Sequence, residues 1–233
     1  MNKEQMVQRM FSSAAKKYDI NNTFLSLGQH HYWKRFTIEQ AGVKNGSCVL
    51  DVCSGTADMA ILLAKKAGPS GRVIAADLNP EMLRIGREKV LGQGLGGIIS
   101  CVLGNAESLQ FGDNKFDAVT VGFGVRNVTH LEKAFSEMFR VTKPGGKVVC
   151  LEFTQPASPV FRYIYDFYSF TLLPAIGTLL SKDRTGIYQY LPDSIRKFPP
   201  AEDLRRLMLR VGFSNVYYHT LSGGIVAVHA GIK

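Results

Sequence analysis

CVLDVCSGTADMAILLAKKAGPSGRVIAAD, residues 48–77, is the stretch on which the fold turns. The apolar run Cys48-Val49-Leu50 closes on Asp51 and gives way to a loop of small residues, Cys53-Ser54-Gly55-Thr56-Ala57. Met59, Leu62, Leu63 and Lys66 follow at helical spacing until Pro69-Ser70-Gly71, and a second apolar run, Arg72 to Ala76, closes on Asp77. Strand, loop, helix and strand, with an acid about 20 residues beyond the loop, is the plan of a nucleoside-binding βαβ unit. Small residues let the backbone approach a ligand, and a carboxylate at the second strand's tip accepts hydrogen bonds from a ribose diol.

The composition of the loop narrows the ligand. Of a GxGxG spacing only Gly55 remains, and neither GxxxxGK[ST] nor the dehydrogenase GxGxxG is found. A dinucleotide would set its pyrophosphate against those missing glycines. A phosphate-free nucleoside such as S-adenosylmethionine suits the site better, with its ribose at Asp77, its methionine end at Gly55–Thr56 and its adenine at the Asn105–Ala106 corner. Ala57 is expected to begin the helix, where alanine is favoured.

Outward from this unit, Asn79-Pro80-Glu81 opens a helix with an Asn cap, Pro at the first helical position and an early acid. Ile98–Leu103, Phe116–Phe123 and Lys147–Phe153 read as further strands, and Leu131–Val141 as an amphipathic helix ended by a turn at Lys143-Pro144-Gly145-Gly146. This alternation predicts a parallel sheet with helices on both faces. After Pro200 come a helix and two strands, Val216–Leu221 and Ile225–His229, joined by Ser222-Gly223-Gly224 as an antiparallel hairpin. The expected architecture is a seven-stranded, mostly parallel Rossmann-like sheet in a single domain over 1–233. Residues 1–47 would form a helical N-terminal cap and residues 155–200 a helical insertion. Within the cap, Met6, Met10 and Ala14 share a helix face, and Trp33 is an anchor, while Tyr18, His30 and His31 are candidates to face a ligand. The insertion carries FRYIYDFYSFTLLPAIGTLL, interrupted by Arg162, Asp166, Pro174 and Gly177, so it reads as helices against the ligand-bearing edge and not as a membrane span.

Bulk composition restricts the function further. The 233 residues are 45% hydrophobic and 20% charged, with four cysteines and a net charge of +9. The cysteines lie in apolar runs without metal-ligand spacing and are expected as buried free thiols. The start MNKEQMVQRM has no apolar signal core, which points to a cytoplasmic protein. Lys and Arg are dispersed without interleaved aromatics, which argues against nucleic acid, as does the absence of an Asn/Asp-Pro-Pro-aromatic end on the fourth strand or a Pro-Cys nucleophile. No GxSxG elbow or HExxH is present.

SGTAD, LGNAESLQF, VGFGVRNV, VTKPGG, LEF and YLPDSIRKFP, together with the upstream YDINNTFLSLGQHHYWK, give the chain a resemblance over nearly its whole length. It resembles the quinone-biosynthesis C-methyltransferases of the UbiE/MenG (COQ5-like) type, a class I S-adenosylmethionine-dependent fold. The resemblance implies methyl transfer to a ring carbon of a polyprenylated quinol, demethylmenaquinol being the commonest acceptor and a methoxy-polyprenyl-benzoquinol a second. It places Thr56, Asp77, Asn105, Ala106 and Gly122 at the cofactor, beside Gly55 and Asp51 of the loop. At the acceptor it places Arg126, Asn127 and Tyr18, with Arg126 stabilising a phenolate and Asn127 orienting it. The base is open among Tyr18, His30, His31 and water. No metal is implied. The aromatic insertion would take the prenyl tail, and the basic surface would hold the protein at an anionic membrane face. A homodimer is left open. Two rival readings are a methyltransferase of the same fold for another small or lipid acceptor and a non-catalytic adenosine-ligand module.

Overall fold

A computed structural model describes residues 3–15, 18–156, 158, 163, 165 and 187–233 of the chain. Three helices, α1 (Lys3–Ala14), α2 (Tyr18–Leu25) and α3 (Gln29–Gln40), precede the first strand. The alternating part runs β1 (Cys48–Val52), α4 (Asp58–Ala67), β2 (Arg72–Asp77), α5 (Pro80–Gly92), β3 (Ile99–Leu103), β4 (Phe116–Gly122), α6 (Leu131–Val141) and β5 (Thr142–Phe153). Beyond the insertion come α7 (Ile187–Lys197), α8 (Ala201–Val211), β6 (Ser214–Leu221) and β7 (Val226–Ile232). Most of the aromatic run expected to cover the substrate side lies outside the described residues.

The strands form one sheet in the order β3-β2-β1-β4-β5-β7-β6. β1 to β5 pair with one another in parallel, while β7 runs antiparallel to both β5 and β6. The strand order reverses between β1 and β4, where Val52 pairs with Val121. An open α/β sheet binds its ligand outside the carboxyl ends of the strands at such a reversal. β4 is buried on both faces, as its unbroken apolar run requires: Ala118, Val119, Thr120 and Val121 are all buried. One face carries Phe135, Met138, Leu204 and Met208 of α6 and α8. The other carries Ala60, Ile61 and Leu63 of α4 with Ile38 and Trp33 of α3.

Local chemistry explains most element ends. Asn79 caps α5, its Oδ1 accepting hydrogen bonds from the N–H groups of Glu81 at 3.0 Å and Met82 at 3.1 Å. Met10 and Ala14 bury one face of α1, with Met6 packed beside them. Two expectations need correction. Ala57 does not begin α4; it is the residue before it, in the left-handed region at φ 65°. That conformation costs an L-residue roughly 1–2 kcal/mol. It is imposed by α5, whose Gly86 comes so close that a Cβ there would lie 3.2 Å from the Ala57 Cβ and 3.2 Å from the Gly55 carbonyl oxygen. The turn Lys143–Gly146 is also more than a helix stop. β5 already starts at Thr142, opposite Phe116, and bulges before Lys147 pairs with Ala118. The Gly145 N–H donates to the Lys233 carbonyl at 2.9 Å, and the Lys233 N–H donates to the Gly146 carbonyl at 3.0 Å, which holds that bulge in the sheet. All four cysteines are free thiols, but only Cys150 is fully buried; Cys48, Cys53 and Cys101 are half-buried.

Candidate active site

Two cavities open at the carboxyl edge of the central strands. The larger, about 430 Å³, reaches from the β1 loop under α2 and α3 to α7. The smaller, about 120 Å³, lies between the tip of β2, the start of α5 and the Asn105–Ala106 corner. Phe11, Tyr18, Cys53, Gly55, Gly122 and Phe123 stand in the walls of both. The loop between them alternates into the left-handed region at Cys53, Gly55 and Ala57 (φ 54°, 55° and 65°), and Phe123 after β4 does the same at 57°. Backbone in this state persists only where the surroundings over-determine it, and it clusters at ligand sites.

Asp77 and the loop form one unit. The Asp77 Oδ2 accepts from the Gly55 N–H at 2.8 Å, and its Oδ1 accepts from the Asn79 N–H at 2.8 Å. A carboxylate has about four acceptor positions, so two remain for a ligand. Burial pushes the Asp77 pKa up, against the pull of these backbone donors. Asn105 keeps its corner through Oδ1, which accepts from the Glu107 N–H at 2.8 Å, and Ala106 is buried beside it in the wall of the smaller cavity. Gly122 ends β4 against Met59: a Cβ would stand 2.4 Å from the Met59 sulfur, so any side chain here would require Met59 to move. Backbone alone is therefore presented to both cavities at this position.

Asp51 lies in the wall of the larger cavity. Thr120 Oγ1 donates to its Oδ1 at 2.6 Å, and burial raises its pKa to about 7. Among the described residues, its Oδ2, the Ser54 Oγ and the Arg126 Nε are buried polar atoms of this wall without a partner. Thr56 stands in the wall of the larger cavity, and its hydroxyl donates to Asp19 Oδ1 of α2 at 2.6 Å. Lys89 of α5 donates to Asp19 Oδ2 at 2.7 Å and also to Asp58, which Lys34 of α3 binds at 2.6 Å. Burial would raise the Asp58 pKa, but the two lysines overcome it and hold it at about 2. The network latches the N-terminal helices onto the β1 loop.

The acceptor-side candidates separate. Arg126 sits in the short 3-10 turn Val125–Asn127 and is buried in the cavity wall. Its Nη1 donates to Glu152 Oε1 at 2.7 Å and to the Phe123 carbonyl at 2.6 Å, and its guanidinium lies 5.3 Å from the Phe153 ring centroid. Asn127 faces the smaller cavity, its Oδ1 accepting from the Tyr190 hydroxyl of α7 at 3.0 Å. Tyr18 lines both cavities, and burial raises its pKa, so it is a protonated phenol at neutral pH. His30 is buried in the larger cavity's wall beside Ser26, 3.1 Å from Nδ1, and burial lowers its pKa to about 4. His31 is exposed and stacks on His30 with ring centroids 3.9 Å apart, outside the cavity. Trp33 is both anchor and wall: its Nε1 donates to Ser222 Oγ at 2.9 Å, and its ring packs on Phe123 and Phe153. Among the described residues, no three His, Cys, Asp or Glu side chains are grouped to hold a metal.

Sequence reading missed Glu152, Tyr190 and the Asp19–Lys89–Asp58 latch. A signal for the first was present: the apolar strand ends at Asp51, Asp77 and Glu152 all place an acid at the same sheet edge.

Comparison with known proteins shows what the chain is similar to. Residues 1–233 match the ubiE/COQ5 methyltransferase family. The chain is 48% identical over 231 residues to the ubiquinone/menaquinone biosynthesis C-methyltransferase UbiE of Pseudomonas paraeruginosa, covering 99% of this chain and 90% of that one. Among solved structures, the fold is similar to that of a SAM-dependent methyltransferase from Aquifex aeolicus, with TM-score 0.60 and 19% identity over 85% of this chain and 88% of that one. It is also similar to the [4+2]-cyclase SpnF, with TM-score 0.74 and 16% identity over 100% of this chain and 97% of that one.

Proposed function

The chain belongs to the ubiE/COQ5 methyltransferase family, and on that premise we propose that it methylates a ring carbon of a polyprenylated quinol, converting demethylmenaquinol to menaquinol. A methoxy-polyprenyl-benzoquinol is the second acceptor of this reading. The protein is an S-adenosylmethionine-dependent methyltransferase, and its residues fit that ligand. Asp77 keeps two acceptor positions for a diol, while Asp51 Oδ2 and Ser54 Oγ are buried acceptors without partners where an ammonium group would sit. Asn105, Ala106 and Asn79 give the smaller cavity a flat, partly polar lining suited to a base.

The observation that carries the acceptor reading is the larger cavity, whose Trp33, Phe123, Phe153 and Leu191 walls surround one buried guanidinium. An apolar ring with a single developing negative charge has that complementarity. The sulfonium supplies an electrophilic methyl group when bound. What the protein adds is alignment and charge management. A ring carbon becomes nucleophilic as a hydroxyl passes its proton to water, the ring proton leaves the same way once the methyl group is transferred, and Arg126 lowers the cost of the phenolate. An arginine is not a proton acceptor at any working pH. Tyr18, held as the phenol, donates a hydrogen bond to the acceptor's oxygen, and Asn127, fixed by Tyr190, orients the ring.

The cavity runs out toward α2 and α7, where Leu25, Leu27 and Ile195 continue its apolar wall. A prenyl tail leaves by that route in this reading, and the charge of +9 draws the protein to an anionic leaflet. No described helix is long and apolar enough to cross a membrane. Incubation with methyl-labelled S-adenosylmethionine and demethylmenaquinol under reducing conditions tests the proposal, and a labelled, methylated quinone is the expected product. A parallel assay with the methoxy-benzoquinol decides between one acceptor and two. Cofactor binding without turnover on either removes the quinol assignment.

A further inference from the structure

Behind Arg126 lies a second ionisable group that the quinol reaction does not by itself require. Glu152, at the carboxyl end of β5, is 1% exposed and accepts three hydrogen bonds, from two backbone N–H groups and one guanidinium. Its Oε1 accepts from Arg126 Nη1 at 2.7 Å and from the Phe153 N–H at 2.8 Å, while its Oε2 accepts from the Arg126 N–H at 3.3 Å. Arg126 is thus held at its main chain and at its side chain by the same carboxylate. The Phe123 carbonyl and the Phe153 ring complete the clamp.

Stability alone is a weak reason for such a pair. Desolvating two charges generally offsets their attraction, and a well-packed apolar pair serves a core as well or better. Here the pair stands at the ligand-binding edge, with the Arg126 Nε buried, without a partner and in the wall of the larger cavity. A donor left open on a group otherwise pinned from three sides is poised for something that enters.

We infer that Glu152 is a positioning residue of the reaction: it fixes the guanidinium of Arg126 at the cavity wall and sets the net charge presented to the acceptor. With Glu152 ionised, the pair is neutral overall and offers the incoming hydroxyl a directed donor rather than a bare cation. The acceptor need not displace Glu152, which holds Nη1 while Nε stays open, and as its phenolate forms, Arg126 is shared between two anions. The inference rests on the proposed quinol reaction. Burial pushes the Glu152 pKa up, with Arg126 acting against it. The other titratable groups facing the pair are Tyr18 of α2, Tyr190 of α7, Cys53 of the loop and Cys150 of β5, while Lys3 of α1 donates to the Arg126 carbonyl at 3.5 Å.

The test compares wild type, Glu152→Gln, Arg126→Gln and the double variant with saturating S-adenosylmethionine and reduced quinol across pH. Wild-type methylation is measured first, so that failure of the quinol assignment is seen separately. Glu152→Gln keeps the side chain's length but not its charge. Its kcat is expected to fall about 100-fold, as for a mispositioned catalytic group. The acid limb of its pH profile is expected to move down by about one unit, because the uncompensated cation favours the phenolate. S-adenosylmethionine affinity, read by calorimetry, stays within about twofold. In the Arg126→Gln background, adding Glu152→Gln should change kcat by less than about twofold, since the residue acts through Arg126. If the single Glu152 variant does not fold, this last comparison decides alone, because a carboxyl without its arginine can protonate. Wild-type kcat with an unmoved acid limb in Glu152→Gln, or an equal loss from it with and without Arg126, overturns the inference.

Discussion

Arg126 and Ala57 show what single residues contribute, one to chemistry and one to strain. Replacing Arg126 by Ala removes the donor aimed at a developing oxyanion, a loss on the order of 10²–10³ in kcat. Its S-adenosylmethionine Kd should change less than about threefold, since Asp77 and the Gly55 loop make the cofactor contacts in this reading; steady-state assays paired with calorimetry check both. Ala57 pays in backbone energy for its place at φ 65°. Ala57→Gly removes that strain but loosens the unfolded chain, so a net gain of about 0.5–1 kcal/mol is expected. Urea unfolding reads it, and an unchanged or lower midpoint counts against strain at this position. Nothing in an alanine announces a left-handed conformation, which is why the sequence reads as an ordinary helix start. The conformation comes from Gly86, 29 positions later by subtraction of the two residue numbers, whose missing Cβ lets α5 press on the loop.

Elements were legible where their ends carry chemistry. β2 and β4 end at an acid or a glycine, β1 ends one residue past Asp51, α5 begins at an Asn-Pro pair, and the observed bounds fall within a residue or so of those signals. β5 reads as starting only at Lys147 because Gly145-Gly146 looks like a turn locally, while pairing with Phe116 and Lys233 starts it at Thr142. The site was legible in part for the same reason. Asp77, Gly55 and Arg126 stand in short motifs, whereas the Arg126–Glu152 pair needs β4 beside β5, and the Asp19–Thr56 bond needs α2 folded over the β1 loop. That bond makes α2 an element with a function of its own, since Tyr18 is the next residue to its latch. Asp19→Ala leaves Lys89 to Asp58 and leaves the Thr56 hydroxyl only its longer contact with Lys89 at 3.4 Å. Charge-assisted hydrogen bonds contribute about 1.5–3 kcal/mol each, of which part is transmitted to the loop, so the S-adenosylmethionine Kd should rise by about tenfold. kcat should fall with it as Tyr18 loses its seat. A variant with wild-type values of both would show that α2 is held by packing alone.

Across the whole molecule, two buried imidazoles link stability to pH. His229 of β7 is 1% exposed, its Nε2 bonds the Ala201 carbonyl at 2.8 Å, and burial lowers its pKa to about 4. Unfolded, the ring titrates near 6.5. Between pH 6.5 and 4 the unfolded chain therefore binds a proton that the folded chain refuses, and stability contributed by this ring is full above 6.5 and lost as pH falls toward 4. The loss approaches about 3 kcal/mol. His229→Gln is expected to be less stable than wild type at pH 7, with the two urea midpoints converging as the pH approaches 4; a constant gap would mean that the ring does not titrate on unfolding. The placing of β7 between β5 and β6 has a further consequence, which concerns synthesis. β6 leaves the ribosome before β7 yet has no partner in the sheet until β7 has paired with β5. From Phe153 to Val226 is 226 − 153 = 73 residues, which at 5–20 residues per second leaves the outer edge of β5 uncovered for roughly 4–15 s. An open, apolar strand edge is a template for pairing with another chain. Nascent chains stalled before residue 226 should therefore need chaperone protection that the finished protein does not.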